Sequence, residues 1–449
     1  MTASFLIKGA TLVNEGRVNE ADLLIQQGRI QQIAPTITAP RGTQIVEATG
    51  KYLLPGLIDD QVHFREPGFP SKGNIASESR AAVAGGITSF MEMPNVNPPT
   101  ITRQALEDKY VRAAASSVAN YSFYLGATAD NLDEIQRLQP GQTCGIKIFM
   151  GASTGDLLVD NESNLRKIFA GTPLLVATHC EDTPTIQAAE AAFYQRYGHA
   201  IPPQAHAEIR STEACLRSSR LAVSLAQQYG TRLHLLHLTT ADELVLLTPA
   251  MTLDDLRSKT ITAEVCVHHL FFNQQDYQRL GHQIKCNPSI KAAHHQQALL
   301  VGLQTGILDI IATDHAPHTW EEKQQPYLKA PSGLPLVQHA LLMLLEYYHR
   351  GQLSLELIVQ KTSHAVAERF QVIDRGYLRE GFWADLVLVD LQQPTQVRAS
   401  ELLYHCGWSP LTGETFHSTI DTTWVNGVMV YQQGKLTGQQ PGQRLSFRC

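Results

Sequence analysis

The sequence predicts an α/β protein, a (β/α)8 TIM-like barrel with a small β-sandwich domain formed from both chain termini. Three observations carry that expectation. First, eight short apolar stretches in the middle of the chain each end on, or just before, a residue able to hold a metal, a substrate or a proton. The endings are Asp59, Met93, Ala127, Lys147, His179, His237, Cys266 and Asp314, and such barrels gather their chemistry at the carboxyl ends of their strands. Second, helical patterns separate the stretches in the alternating manner of βαβ units. Third, the two ends of the chain are both rich in alternating β-branched residues, and 449 residues exceed one ordinary core.

Taken in order, FLIKGATLVN and ADLLIQQGRIQQIA within residues 4–34 read as short strands with turn signals. They place the amino-terminal part of the sandwich in residues 1–51. The barrel follows over 52–376, with strands expected at 53–59, 87–93, 121–127, 144–149, 173–179, 232–238, 261–266 and 308–313. Between them lie helical patterns such as IASESRAAVAG and QALEDKYVRAAASS. The 180–231 connection is longer than one helix requires and predicts two. The polar 314–333 segment falls on the mouth side, where it could fold over a bound molecule. ADLVLVDL (384–391) and TTWVNGVMVYQQG (422–434) return to strand character, with Asn-Gly and Gln-Gly turns. They place the other part of the sandwich in 377–449, because neither end alone has enough core to stand.

Composition narrows the function classes. Hydrophobic content of 43% and charged content of 17% describe an ordinary soluble chain. A net charge of −6 gives no electrostatic case for nucleic acid or an anionic membrane surface. A small anionic ligand stays open, since a few placed cations suffice for it. The seven cysteines are scattered without a CxxC pair, which argues against a disulfide framework or a zinc site built on such pairs. With no basic-then-apolar start and no stretch of membrane-spanning length, the expected compartment is a reducing cytoplasm.

Imidazole and carboxylate together suit a borderline divalent ion such as zinc. His179 closes the strand LLVATH and His237 closes RLHLLH. One strand-end histidine is more often packed than ligating; two on neighbouring strands, opposite Asp314, point to a metal. His234 has the other parity and reads as structural. Lys147, in GIKIFMG, is a cation in an apolar strand, where an unpaired charge is costly. It either pairs with an acid or, made neutral by burial, reacts with carbon dioxide to give a carbamate that bridges two metals. His268-His269 reads as packing, His294-His295 as solvated, and Asp59 and Asp60 as groups that orient a ligand from behind.

Eight segments resemble the dihydroorotase group of the cyclic amidohydrolases, in the family's order and over nearly the whole chain. They are DDQVHFREPG (59–68), MEMPNVNPP (91–99), GIKIFMG (145–151), THCED (178–182), LHLT (236–239), KCNPSIK (285–291), ATDHAPH (312–318) and YLREGFWADLVLVD (377–390). The resemblance implies one or two zinc ions per chain and the reversible closure of N-carbamoyl-L-aspartate to dihydroorotate, a step of pyrimidine synthesis. The family's first-strand H-x-H pair reads Gln61-Val62-His63 here, so His63 matches the second ligand and a weaker amide ligand replaces the first. Lys147 resembles the carboxylated lysine, His179 and His237 the ligands of the second metal, and Asp314 the aspartate that binds metal and shuttles the proton. Arg65, Asn95, Asn287 and His318 resemble the residues that hold substrate. Arg65 could meet a ring carboxylate with paired charge-assisted hydrogen bonds, which separates dihydroorotase from allantoinase and dihydropyrimidinase. A homodimer and association with aspartate transcarbamoylase are further expectations of the resemblance. A non-catalytic subunit supporting that partner is the alternative from another class; retention of Lys147, His179, His237 and Asp314 argues against it.

Overall fold

The eight apolar stretches each contribute a parallel barrel strand. The computed structural model describes residues 3–151 and 157–448. Its barrel strands are Leu57–Val62, Ile87–Glu92, Asn120–Phe123 continued by Leu125–Gly126, Ile146–Phe149, Val176–His179, Leu233–Leu235, Ile261–Cys266 and Ile310–Ala312. Each pairs in parallel with the next, as in Leu57 with Ile87, Lys147 with Ala177 and His234 with Thr262. The ring closes where Val62 bridges to His315 and the His63 N–H donates to the His315 carbonyl at 2.7 Å. Inside lie Ile58, Met91, Tyr124, Leu175, Leu236 and Ile310, a cluster separate from the larger one outside.

The sandwich draws on both ends of the chain, as expected. A single nine-stranded sheet contains Phe5–Asn14, Arg17–Gln26, Arg29–Ala34, Gln44–Glu47 and Tyr52–Pro55 together with Leu386–Asp390, Thr419–Val425, Val428–Gln432 and Lys435–Leu436. Ile7, Leu23, Ile25, Leu53, Leu388 and the fully buried Trp424 pack its core.

Two expected boundaries shift. The stretch 53–59 is not one strand: Tyr52–Pro55 pairs with Thr11–Leu12 and with Leu386–Val389 in the sandwich sheet, and the barrel begins at Leu57. Gly56 makes the passage between them, and a Cβ there would sit 2.2 Å from Thr88 Oγ1. At the other end, the last residues leave the sandwich and cover the amino-terminal end of the barrel. The Leu445 N–H donates to the Tyr121 carbonyl and the Tyr121 N–H to that of Gln443, while Leu445 and Phe447 join the interior cluster.

The 180–231 connection carries two long helices, Thr183–Tyr197 and Thr212–Tyr229. Asp182 and Ser211 cap their first turns by accepting from the Thr185 and Ala214 N–H groups. The six described cysteines are unpaired, and Cys449 lies outside the described residues. No helix among the described residues is long and apolar enough to cross a membrane.

Candidate active site

All ten residues singled out from the sequence line one cavity at the carboxyl ends of the strands: Gln61, His63, Arg65, Asn95, Lys147, His179, His237, Asn287, Asp314 and His318. The first, fourth and fifth strands bring Gln61, Lys147 and His179 directly, the segments following the strand ends bring most of the rest, and Asn287 comes from the long connection after the seventh strand. Three of them hold left-handed backbone, with φ of 71° at Arg65, 40° at His237 and 47° at Asp314. Non-glycine residues adopt that region at a cost, and such strain gathers where side chains must be aimed.

One end of the cavity is a set of metal-type donors. His179 Nδ1 and His237 Nε2 face each other at 3.0 Å. His179 Nε2 lies 3.0 Å from Glu181, which also takes an ion pair from Arg210. A ring nitrogen anchored on a carboxylate leaves the other as an acceptor, which is how metal-binding imidazoles are held. Burial lowers the basicity of His63 and His179 and puts that of His237 far below its usual value, so all three rings are neutral donors. Burial likewise brings the Lys147 ammonium down to about 7, with its Nζ 4.6 Å above the Phe149 ring. Of the two readings of this lysine, the acid partner is absent from the ion pairs among the described residues. His63 Nε2 lies 3.0 Å from Asp314. Burial pushes the Asp314 carboxyl up, but His63, His268 and Lys147 outweigh it and hold the group below its ordinary value. Neutral imidazoles, an ionised carboxylate and a near-neutral amine fit a divalent cation.

The other end fits an anion. Arg65 is 6% exposed and spends its hydrogen bonds on the Pro317 carbonyl (3.1 Å) and His318 Nε2 (3.0 Å). None of its hydrogen-bond partners among the described residues is a carboxylate, and burial lowers it to about 10. Asn287 Oδ1 has no partner among the described residues, whereas Asn95 Oδ1 lies 2.7 Å from His63 Nδ1 and fixes that ring. The segment 314–333 forms this wall, and Lys323 bolts it down by donating to the carbonyls of Lys285, Pro331 and Gly333.

Beneath the site, sequence reasoning missed Glu181 and Glu264, while it named Asp60 as an orienting group and His234 as structural. Glu181 lay in the quoted THCED segment, two residues past His179, and that spacing was the signal for it. Asp60, His234 and Glu264 bring ligand atoms within 4.8 Å inside the barrel, with His234 Nε2 3.2 Å from both carboxylates. Burial, then the Asp60 charge, raises Glu264 far above its usual value. Glu264 also accepts the His237 N–H at 3.1 Å and so sets that ligand from below. His295, expected in solvent, is instead buried, and its Nδ1 accepts from the Ala241 N–H. The first turn of its helix turns it inward while His294 stays exposed.

A larger cavity of about 640 Å³ lies where sandwich meets barrel. Its charges are spent in the pairs Lys51–Asp421 and Arg398–Glu401, so size does not mark the chemistry here.

Fold and site together define a (β/α)8-barrel enzyme. More narrowly, the chain belongs to the amidohydrolase family, whose model matches residues 52–430. A dihydroorotase of Halobacterium salinarum is 33% identical over 411 residues, covering 91% of this chain and 92% of that one. An allantoinase of Solibacter usitatus is 30% identical, covering 98% and 96%. Among solved structures, the L-hydantoinase (dihydropyrimidinase) of Arthrobacter aurescens superposes with a TM-score of 0.91 at 26% identity, over 99% of this chain and 100% of that one.

Proposed function

We propose that this protein is a zinc-dependent dihydroorotase, a cytoplasmic enzyme of pyrimidine synthesis that interconverts N-carbamoyl-L-aspartate and dihydroorotate. The observation that carries the reading is Arg65, a buried guanidinium at the cavity with no carboxylate partner among the described residues. An unpaired buried cation is costly unless a ligand supplies the opposite charge. The ring carboxylate of dihydroorotate supplies it; allantoin and dihydrouracil have none there.

His63, Lys147 as its carbamate, His179, His237 and Asp314 would hold one or two zinc ions, with Gln61 the weakened position. When bound, zinc supplies Lewis acidity, which polarises the ring carbonyl and makes water nucleophilic at neutral pH. Asp314, kept ionised by its neighbours, takes the proton of the attacking water and delivers it to the ring nitrogen as the amide bond breaks. Arg65, Asn287 and His318 orient the carboxylate so that the carbonyl meets that water. Closure is the same sequence reversed.

A second reading, an allantoinase or dihydropyrimidinase, rests on allantoinases that match 97–100% of this chain. Turnover of dihydroorotate, allantoin and dihydrouracil by the purified protein separates the readings. Dihydroorotate is expected to be the preferred substrate, and preference for either of the others overturns the assignment. Lys147→Ala should lose zinc and turnover together, whereas Arg65→Met should chiefly raise KM for dihydroorotate. Turnover at all also removes the alternative of a non-catalytic subunit. The reading carries with it a homodimer and an association with aspartate transcarbamoylase, both accessible to light scattering of the pure and mixed proteins.

A further inference from the structure

Behind Gln61, outside the cavity wall, three buried donors converge. Cys266 ends the seventh strand, and His268 and His269 follow on the short helix Val267–Phe271. Their ligand atoms all lie within 4.8 Å of one another, at exposures of 0%, 0% and 3%. Among the described residues His268 has no side-chain partner, only the Thr313 backbone lying near its ring. His269 Nδ1 is also without a partner among the described residues, while its Nε2 lies 3.1 Å from the Pro288 carbonyl.

Buried polar atoms are almost always paired, so ring nitrogens of two adjacent histidines left without a side-chain partner beside one thiol need a cause. His269 has the pose of a metal ligand, one nitrogen anchored on a backbone carbonyl and the other free. A thiol with two imidazoles is a borderline-soft set that favours zinc over magnesium or calcium. The Cys266 thiol lies 3.6 Å from Gln61 Oε1, which places an amide oxygen at the fourth corner.

We propose that Cys266, His268 and His269 form a separate cation site for zinc or a similar borderline divalent ion, set behind Gln61 and distinct from the hydrolytic centre. Zinc bonds of about 2.3 Å to sulfur and about 2.0 Å to nitrogen put neighbouring ligand atoms roughly 3.3–3.6 Å apart, so the cluster contracts by about 1 Å on binding. The thiol gives its proton to solvent and the sulfur keeps the electron pair that binds the ion. Gln61 also lines the cavity, so an ion that takes its amide oxygen from behind would leave His63 as the first strand's ligand to the hydrolytic centre.

The test is cobalt(II) added to the metal-stripped full chain. The wild type should show a near-ultraviolet thiolate-to-cobalt charge-transfer band. Lys147→Ala, which empties the hydrolytic centre, and Cys215→Ser should both keep it. Cys266→Ser should lose the band, and His268→Gln, which keeps the thiol, should weaken cobalt binding roughly tenfold or more. No band in the wild type, or a band that survives Cys266→Ser, overturns the site. The dihydroorotase reading is tested by turnover and stands or falls separately from this band.

Discussion

Glu181 sits between His179 and Arg210 with no exposure to solvent. Burial pushes its carboxyl up, but Arg210, the hydrogen bond from His179 and the charge of Lys291 outweigh that and hold it at about 2, against an ordinary 4.5. A depressed acid contributes stability that is complete above its unfolded pKa and is lost as pH falls toward the folded one. The window is therefore about 4.5 down to about 2, and the contribution is of order 3 kcal/mol. Glu181→Gln should make the protein less stable at about pH 5.5, with the gap in urea midpoint narrowing toward about pH 3.5. The same variant should bind zinc about 10–100-fold more weakly, because the carboxylate no longer strengthens His179 as a donor. A gap that stays constant with pH would show that the charge of Glu181 is not what holds this corner. Lys147, His179, His237 and Asp314 were legible because strand ends and side-chain parity are written in the sequence, whereas Gln61, His63, Arg65, Asn95, Asn287 and His318 were legible through the family resemblance. Glu264 and His268 were not, since their roles depend on which nitrogen or oxygen of a neighbouring strand they meet.

At the level of elements, the eight strands could be read from their composition, but the split at Gly56 could not. YLLPGLIDD is one continuous apolar run, and only pairing with Leu386–Val389, more than 300 residues on, assigns its first half to the sandwich. The polar character of 314–333 was equally plain, and it suggested a loose cover. The structure instead shows the segment pinned from inside by two lysines without acid partners among the described residues. Lys323 donates to three carbonyls and Lys285 to those of Tyr327 and Ala330. Burial lowers both, Lys285 to about 7 and Lys323 much further. Lys323→Met keeps the volume and strands three carbonyls, at about 1 kcal/mol or more each. The expected result is faster proteolytic cleavage within 319–333 and a raised KM for dihydroorotate, because His318 rides on this segment. Cleavage and KM both equal to wild type would mean that the lysine merely fills space.

At the scale of the whole molecule, one buried network ties the sandwich to the barrel. Asp385 accepts from Arg375, from Asn120 Nδ2 at 3.1 Å and from the Asn426 N–H at 2.7 Å. Asn426 in turn donates to Asn120 Oδ1 and to the Pro441 carbonyl, both at 2.7 Å. Five parts of the chain therefore meet at one carboxylate: the third barrel strand, the link out of the barrel, the entry to the carboxyl-terminal strands, their hairpin turn and the tail beneath the barrel. Asp385 lies within the ADLVLVDL segment that the sequence marked clearly, yet nothing local shows that its partner is Asn120, 265 residues away. Removing one partner of a buried pair leaves the other charge uncompensated, which costs about 3–5 kcal/mol. Asp385→Ala strands Arg375 in this way, whereas Asp385→Asn keeps oxygen acceptors in place and should cost less. Because Trp383 and Trp424 report on the sandwich side and catalytic turnover on the barrel, urea unfolding followed by both probes separates the two. The wild type should unfold in one transition, and Asp385→Ala should lower the midpoint and draw the two curves apart. Coincident curves at an unchanged midpoint would assign the joining of the two domains to apolar contact instead of this network.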